Sequence, residues 1–389
     1  MDRQANLGRW AVAALFFING FNMGAWAPQI PQMMERHGLK SGLMGVLIVM
    51  IGLGAVSAMI FAGKLIAHHG SRKMVIIFAI CFIPMFPAMV LSPSPWIAVP
   101  FLFFYGAFGG CMDVAMNANA VAVERHLGRA IMSSSHGFWS LGGFIGGALG
   151  GRAIETFGYD KQALGVAAIC AVVLLVASRF IVNDPPHEEK VKPKALMFPR
   201  IPILYVLGAM ALFSMVPEGA VLDWAAVYVK TEMGSNLTRQ GLAFGLFSGA
   251  MAIIRFGGDA VRNRFGAVRT LRASGIVGAV GIFAGAVAPN DIMAITGFAF
   301  AGIGVANMVP IMFSAAGNYP GLPPGSGIAT TTMIGYTGYL LAPSIIGYIA
   351  QHVGFRFTYA AVALLLLVVA ANAGKTASAD GANFQTSAT

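Results

Sequence analysis

Asp113 and Asn117 stand four residues apart in the run Gly109-Gly110-Cys111-Met112-Asp113-Val114-Ala115-Met116-Asn117, so on a helix they share one face. A carboxyl group within so apolar a stretch is costly to bury as a charge, which makes it a functional candidate by default, with Asn117 beside it. Glu218 and Asp223 are two further acids inside an apolar run, and Pro217-Glu218-Gly219 predicts a break in that helix. Each acid also has a plain structural reading. Asp113 could bond to Arg125 or Arg129, and Glu218 or Asp223 could cap a helix or close an ion pair at the outer face. His136, Ser140, Gly143 and Gly147 recur at helical spacing and form one stripe. Thr332, Tyr336, Tyr339 and Pro343, each 196 positions on, form a second. If both line a central cavity, the stripes face one another across it. Hydroxyls and rings of this kind suit a polar, neutral ligand with some apolar faces, although a histidine satisfied by the nearby serine is the alternative for His136. Asn22, Trp26, Trp139 and Trp224 add amide and stacking surfaces, and Asn307, Pro310 and Ser314 share the face of a helix kinked by the proline. Gly142, Gly146 and Gly150 read as a helix-packing face.

The elements that must position these groups are membrane helices. Of the 389 residues 57% are hydrophobic and only 10% are charged, against about 25% charged in soluble domains. Apolar runs of spanning length, about 20 residues, fall near 9–33, 41–67, 73–92, 96–124, 131–157 and 161–182. Six more fall near 201–229, 238–261, 268–288, 291–317, 326–350 and 355–373. The runs are continuously apolar instead of alternating, so helices fit them better than a barrel. Net charge is +10, but its placement is a topology signal and not a nucleic-acid footprint. Of the 25 basic residues, only Arg36, Lys40, Arg152, Lys161, Lys230, Arg239 and Arg356 fall on the outer side when both termini are cytoplasmic. Arg255 is counted here with the cytoplasmic set. The first run is long and lacks a small-residue cleavage site, so it is expected to stay as a helix.

The chain repeats itself. A shift of 196 brings Gly45 onto Gly241, Gly70 onto Gly266, Gly106 onto Gly302, Gly142 onto Gly338, Gly151 onto Gly347 and Gly158 onto Gly354. Six helices per half is an even number, so the halves share one orientation, with a site expected between them. The divisions expected are a first bundle over 1–183, a charged and proline-rich cytoplasmic linker over 184–200, a second bundle over 201–375 and a disordered tail over 376–389.

Between the second and third helices, Gly63-Lys64-Leu65-Ile66-Ala67-His68-His69-Gly70-Ser71-Arg72-Lys73 resembles the loop signature of the major facilitator superfamily. Its counterpart is Asn263-Arg264-Phe265-Gly266, with Gly258-Asp259 upstream. The signature's acidic position is Ala67 in one copy and Asn263 in the other, and Asp259 is a candidate substitute. The resemblance implies a twelve-helix, all-α fold of two six-helix pseudo-repeats. The Asp113–Asn117 segment is similar to that of fucose permeases, in which the acid is implicated in proton-coupled sugar uptake. Ile30-Pro31-Gln32 also resembles that branch, but the acid expected before the proline is Ala27. Ala27 shifted by 196 falls on Asp223 and Asn22 on Glu218, so the second carboxylate is expected on the symmetry-related helix. The rhizopine-associated membrane proteins of rhizobia are the other part of this branch that the chain resembles.

The expectation is therefore a non-enzymatic secondary transporter in the inner membrane, working as a monomer. It would move a sugar, polyol or cyclitol with protons by alternating access. No P-loop supports ATP use, and no metal motif or cofactor site is expected. The three cysteines lie inside spans and predict no disulfide framework. The alternative is proton-coupled efflux of amphiphilic compounds or lipids. It is weakened by Leu102 where drug antiporters carry arginine, and by a helix-5 glycine run without proline.

Overall fold

The computed structural model describes residues 3–128, 131–183, 201–319 and 326–380, and all regular structure within them is helical. The expected linker over 184–200 lies outside the described residues. Fourteen α-helices follow in order: α1 Arg3–Trp26, α2 Gln29–His37, α3 Ser41–His69, α4 Ser71–Val90, α5 Pro95–Leu127, α6 Met132–Phe157 and α7 Tyr159–Ser178. The second half has α8 Pro202–Met233, α9 Leu237–Phe265, α10 Ala267–Ala286, α11 Asp291–Val305, α12 Met308–Gly317, α13 Ser326–Val353 and α14 Phe355–Ala371. A 3-10 helix over Ala373–Asp380 closes the described chain.

Paired across their breaks, α1 with α2 and α11 with α12 each form one span, which gives the twelve spans expected. Ten pass a strict test of length and apolarity among the described residues. The α6 helix falls short because glycines, serines and His136 dilute its apolar residues, and α14 is short unless joined to the bent 3-10 segment.

The repeat is visible in the backbone. Gly38 and Gly234 take φ of 61° and 65°, Gly70 and Gly266 take 82° and 76°, and Gly158 and Gly354 take 93° and 84°. Every pair is 196 residues apart. Left-handed φ is cheap only for glycine, so these positions end corresponding helices in the same way. Ser94 and Asn290, also 196 apart, cap α5 and α11 by accepting from Ile97 N at 3.3 Å and Met293 N at 3.0 Å.

Two seams join the halves: α6 packs on α9, and α3 packs on α13. The stripe-bearing helices α6 and α13 therefore pack onto different partners and not onto each other. Close approach along α6 needs glycine. A Cβ on Gly151 would strike the backbone of Leu237, and one on Gly147 would crowd Gly245. Gly142 and Gly146 meet α1 at Phe17 and Phe21 in the same way, as the packing reading expects. The end of the bundle away from the termini is tied by side chains from both halves. Lys230 pairs with Glu35 and donates to Pro31 O, Thr238 donates to Glu155, and Gly42 N donates to Gln351 Oε1. At the opposite end a Cβ on Gly63 of α3 would meet nothing within 4 Å among the described residues, and Ile60 and Phe61 are exposed, as are apolar side chains along the rest of α3.

Two expectations need correction. Helix α8 runs unbroken through Pro217. A proline removes a single N–H, and the flanking turns hold, with Ser214 Oγ donating to Met210 O at 3.0 Å. Residues 376–380, expected to begin a disordered tail, form the end of the 3-10 helix. Asp380 accepts from Ala267 N at 2.8 and 3.0 Å, Ser378 Oγ donates to Ala315 O, and Arg262 donates to Ala379 O at 2.6 Å. Local composition suggested disorder, but an unpaired helix N-terminus at α10 supplies a partner for the carboxylate.

Candidate functional site

Arg255 organises the centre. It lies on α9 ten residues before the helix ends, inside the apolar span, and its side chain is 15% exposed. Its count among cytoplasmic basic residues is therefore corrected. Three elements hold it. Its Nη1 donates to Ser140 Oγ on α6 at 2.6 Å, its Nε donates to Ala306 O at 3.3 Å, and its Nη2 lies 3.6 Å from Glu218 Oε1 on α8. The Trp139 ring lies 6.0 Å from the guanidinium carbon.

The Ala306 contact has a cause in the sequence. In an uninterrupted helix the carbonyl of 306 would accept from the N–H of 310, but residue 310 is proline. The span breaks at Ala306–Asn307, and the freed carbonyl accepts from Arg255. The kink expected from Pro310 is thus a break one turn earlier, with Asn307 half-buried at the start of α12.

Around this residue gather several of the groups expected from the sequence. Ser140 is fully buried and holds Arg255, and its own carbonyl accepts from Ser248 Oγ at 2.8 Å. Trp139 is half-buried and donates through Nε1 to Asn19 Oδ1 on α1 at 2.8 Å. His136 is half-buried, edge-on to Phe16 with centroids 5.0 Å apart, and lies within electrostatic reach of Arg255. Tyr336 on α13 lies within reach of both Asp113 and Glu218. Asp113 itself is half-buried on α5 and accepts from Asn117 Nδ2 through its backbone at 2.8 Å and its side chain at 3.3 Å.

Other expected residues sit elsewhere. Asp223 is five residues beyond Glu218, about 140° around the helix. It is 6% exposed and lies within reach of Tyr359 on α14, on the far side of α8 from Arg255. Asn22 is fully buried and accepts from Tyr105 OH at 2.9 Å, and Trp26 is 1% exposed. The side chains of Tyr339 and Asp259 lie outside the described residues. In the loop signature, Gly70 and Gly266 turn the chain with positive φ, and Lys73 and Arg264 are exposed at the ends of α4 and α9. Arg72 is half-buried, and Asp380 provides a carboxylate at the second copy, where the signature's acid is Asn263. Among the described residues no cluster of His, Cys, Asp and Glu could hold a metal.

A cavity of about 530 Å³ opens at the tied end, lined by Glu232, Ser235, Arg239 and Asp291 among others. Its charges are already matched. Arg239 pairs with Asp291 at 3.0 Å, Ser235 donates to the same carboxylate at 2.8 Å, and Glu232 pairs with Arg356 at 3.2 Å. It is a surface dent between loops, remote from Arg255.

Sequence reasoning missed Arg255 as a site residue. Arg255 lies between Ile254 and Phe256, seven residues before the basic run at 262–264. Proximity to that run favoured a topology reading, although Pro310 and Ser140 each hint at a buried donor's partner.

Comparison with known proteins gives consistent matches. The Major Facilitator Superfamily profile matches residues 12–322. An uncharacterized MFS-type transporter of Yersinia pestis is 35% identical over 362 residues, covering 92% of this chain and 93% of its own. Membrane protein MosC of Rhizobium meliloti is 30% identical over 358 residues, covering 88% and 84%. Among solved structures, a variant of the nucleoside transporter NupG aligns with TM-score 0.76 at 11% identity, covering 95% of this chain and 99% of that one. The human organic anion transporter MFSD10 aligns with TM-score 0.71 at 15% identity, covering 96% and 100%. At such identities the structural likeness speaks for the fold alone.

Proposed function

This chain belongs to the major facilitator superfamily, and from that membership we propose that it couples a proton gradient to movement of a small polar solute. It is a multi-pass membrane transporter and not an enzyme. The finer reading is symport of a sugar, polyol or cyclitol-type solute by alternating access in the inner membrane, with both termini cytoplasmic. Residues 1–183 and 201–375 act as the two moving bundles, joined by 184–200.

One observation carries the reading: two carboxyl groups, Asp113 on α5 and Glu218 on α8, lie inside apolar spans, Glu218 with its Oε1 3.6 Å from the Arg255 guanidinium that Ser140 of the other half holds. Each is a group that must lose its charge or find a partner in so apolar a setting. A proton taken up from one side and released to the other is the simplest use of such a pair. Asp113 is the first candidate carrier and Glu218 the second. His136, Ser140, Trp139, Asn117, Asn307 and Tyr336 supply hydroxyl, amide and ring surfaces for a hydroxylated solute.

The tied end describes a state closed on the side away from the termini, which is the outer side when the termini are cytoplasmic. A solute moves the equilibrium only through different affinities for the two states, and a site contacted by both halves provides for such a difference.

The test is uptake in proteoliposomes with an imposed inward proton gradient, across neutral sugars, polyols and cyclitols. The reading predicts accumulation of at least one solute, abolished by a protonophore. Gradient-independent equilibration, or extrusion of hydrophobic cations instead, would refute it.

A further inference from the structure

Resting on the reading of this interface as a solute site, we propose that Arg255 anchors an acidic group of the transported solute. Glu218 is the internal stand-in that neutralises Arg255 when the solute is absent. The solute class is then a hydroxylated monocarboxylate, a sugar acid in chemical terms, in place of a wholly neutral polyol.

The guanidinium geometry carries the argument. Arginine has five N–H donors in a planar fork. Here one goes from Nε to Ala306 O and one from Nη1 to Ser140 Oγ. These two bonds fix the plane of the group from both halves of the molecule and leave the rest of the Nη edge uncommitted. Glu218 is the only acid paired with it among the described residues, and the 3.6 Å separation exceeds hydrogen-bond length. A structural buried pair is expected to close to direct, often bidentate, contact. This one is held open, with both side chains still about one-sixth exposed at 15% and 16%. A carboxylate arriving from solution finds a preoriented fork with free donors and a partner that is easily displaced.

The surroundings fit the rest of such a solute. Trp139 presents its ring beside the fork and is fixed by Asn19. His136 on α6 lies within electrostatic reach of Arg255, and Tyr336 on α13 within that of Glu218 and Asp113. These are the titratable groups around the pair; α1 offers Asn19 and the α11–α12 break offers the Ala306 carbonyl and Asn307, none of which titrates.

Charge balance then links solute to proton. In the empty site Arg255 and Glu218 sum to zero. When the solute's carboxylate replaces Glu218 on Arg255, Glu218 is left as an uncompensated anion inside the membrane. It takes one proton from the solution that delivered the solute, and the loaded site is again neutral. No bond other than the Glu218 O–H is formed. One monocarboxylate and one proton cross together, so the cycle is electroneutral for this solute.

The test uses full-length protein in proteoliposomes and two matched pairs of probes: gluconate with sorbitol, and galacturonate with galactose. The proposal predicts that an inward proton gradient accumulates an acid, whereas a membrane potential alone does not. Arg255→Gln should lower acid uptake by about tenfold or more, the loss expected for a charge-assisted hydrogen-bonded anchor. Glu218→Gln should keep acid exchange between the two sides while losing dependence on the proton gradient. Because Arg255→Gln could disturb packing of the halves, its melting temperature and monodispersity are measured beside it, and Glu218→Gln gives an independent reading. Accumulation of the neutral members without the acids overturns this proposal and leaves the proton-coupled reading intact. So does acid uptake that survives well-folded Arg255→Gln or remains gradient-driven in Glu218→Gln. Movement of neither acids nor neutrals under the gradient overturns both.

Discussion

At the residue scale, the site depends on how few charges lie within the membrane and on what faces each. Ser140 is a small side chain with a large consequence, because its hydroxyl holds the Arg255 guanidinium from the first half. Ser140→Ala should raise KM for the transported solute by roughly tenfold, in line with loss of a hydrogen bond to a charged group, with little change in melting temperature. An unchanged KM would mean that Ala306 and Glu218 suffice to orient the guanidinium. The acids could be found in the sequence because an acid in an apolar run is conspicuous. Which acids work together could not, because that depends on rotation about α8. Glu218 and Asp223 look equivalent as letters, yet one meets Arg255 and the other is buried toward α14. Arg255 was hidden for a related reason: its span is interrupted by polar residues and leads directly into a basic loop.

At the element scale, proline and glycine placement set what backbone is available to side chains. Pro310 frees the Ala306 carbonyl that Arg255 uses, so Pro310→Ala restores a competing N–H. That variant should fold and show weakened transport, with the defect in KM; wild-type kinetics would show that the break at Ala306–Asn307 does not depend on the proline. The 3-10 segment makes a second element-scale claim. Asp380→Ala should lower stability by about 1 kcal/mol, the usual worth of a helix N-cap, read as a lower melting temperature, and Asp380→Asn should fall between. Equal stability of all three would mean that water replaces the carboxylate at Ala267 without loss. Helix positions and the 196-residue register were legible because apolar runs and turn glycines mark them directly. The unbroken α8 and the ordered 376–380 were not, since each depends on partners distant in sequence: the turns around Pro217, and the exposed N-terminus of α10.

At the scale of the whole molecule, the halves are sealed at the end away from the termini by α6 against α9 and by the Lys230–Glu35 and Thr238–Glu155 contacts. These contacts are partly exposed and individually weak, so glycine packing decides the seal. Gly151→Val would drive a side chain into Leu237 and should open that end. Spin labels placed across it should then report a longer distance; an unchanged distance would show that the seam absorbs the wedge. The central claim is that solute and proton cross together through the interface between the halves. The most direct measurement is proton flux into proteoliposomes, followed with an internal pH dye when a transported solute is added outside, for wild type and Glu218→Gln. The account predicts internal acidification on solute addition with wild type, and its loss in the variant while solute exchange between the two sides persists. Solute entry without acidification in wild type would contradict it.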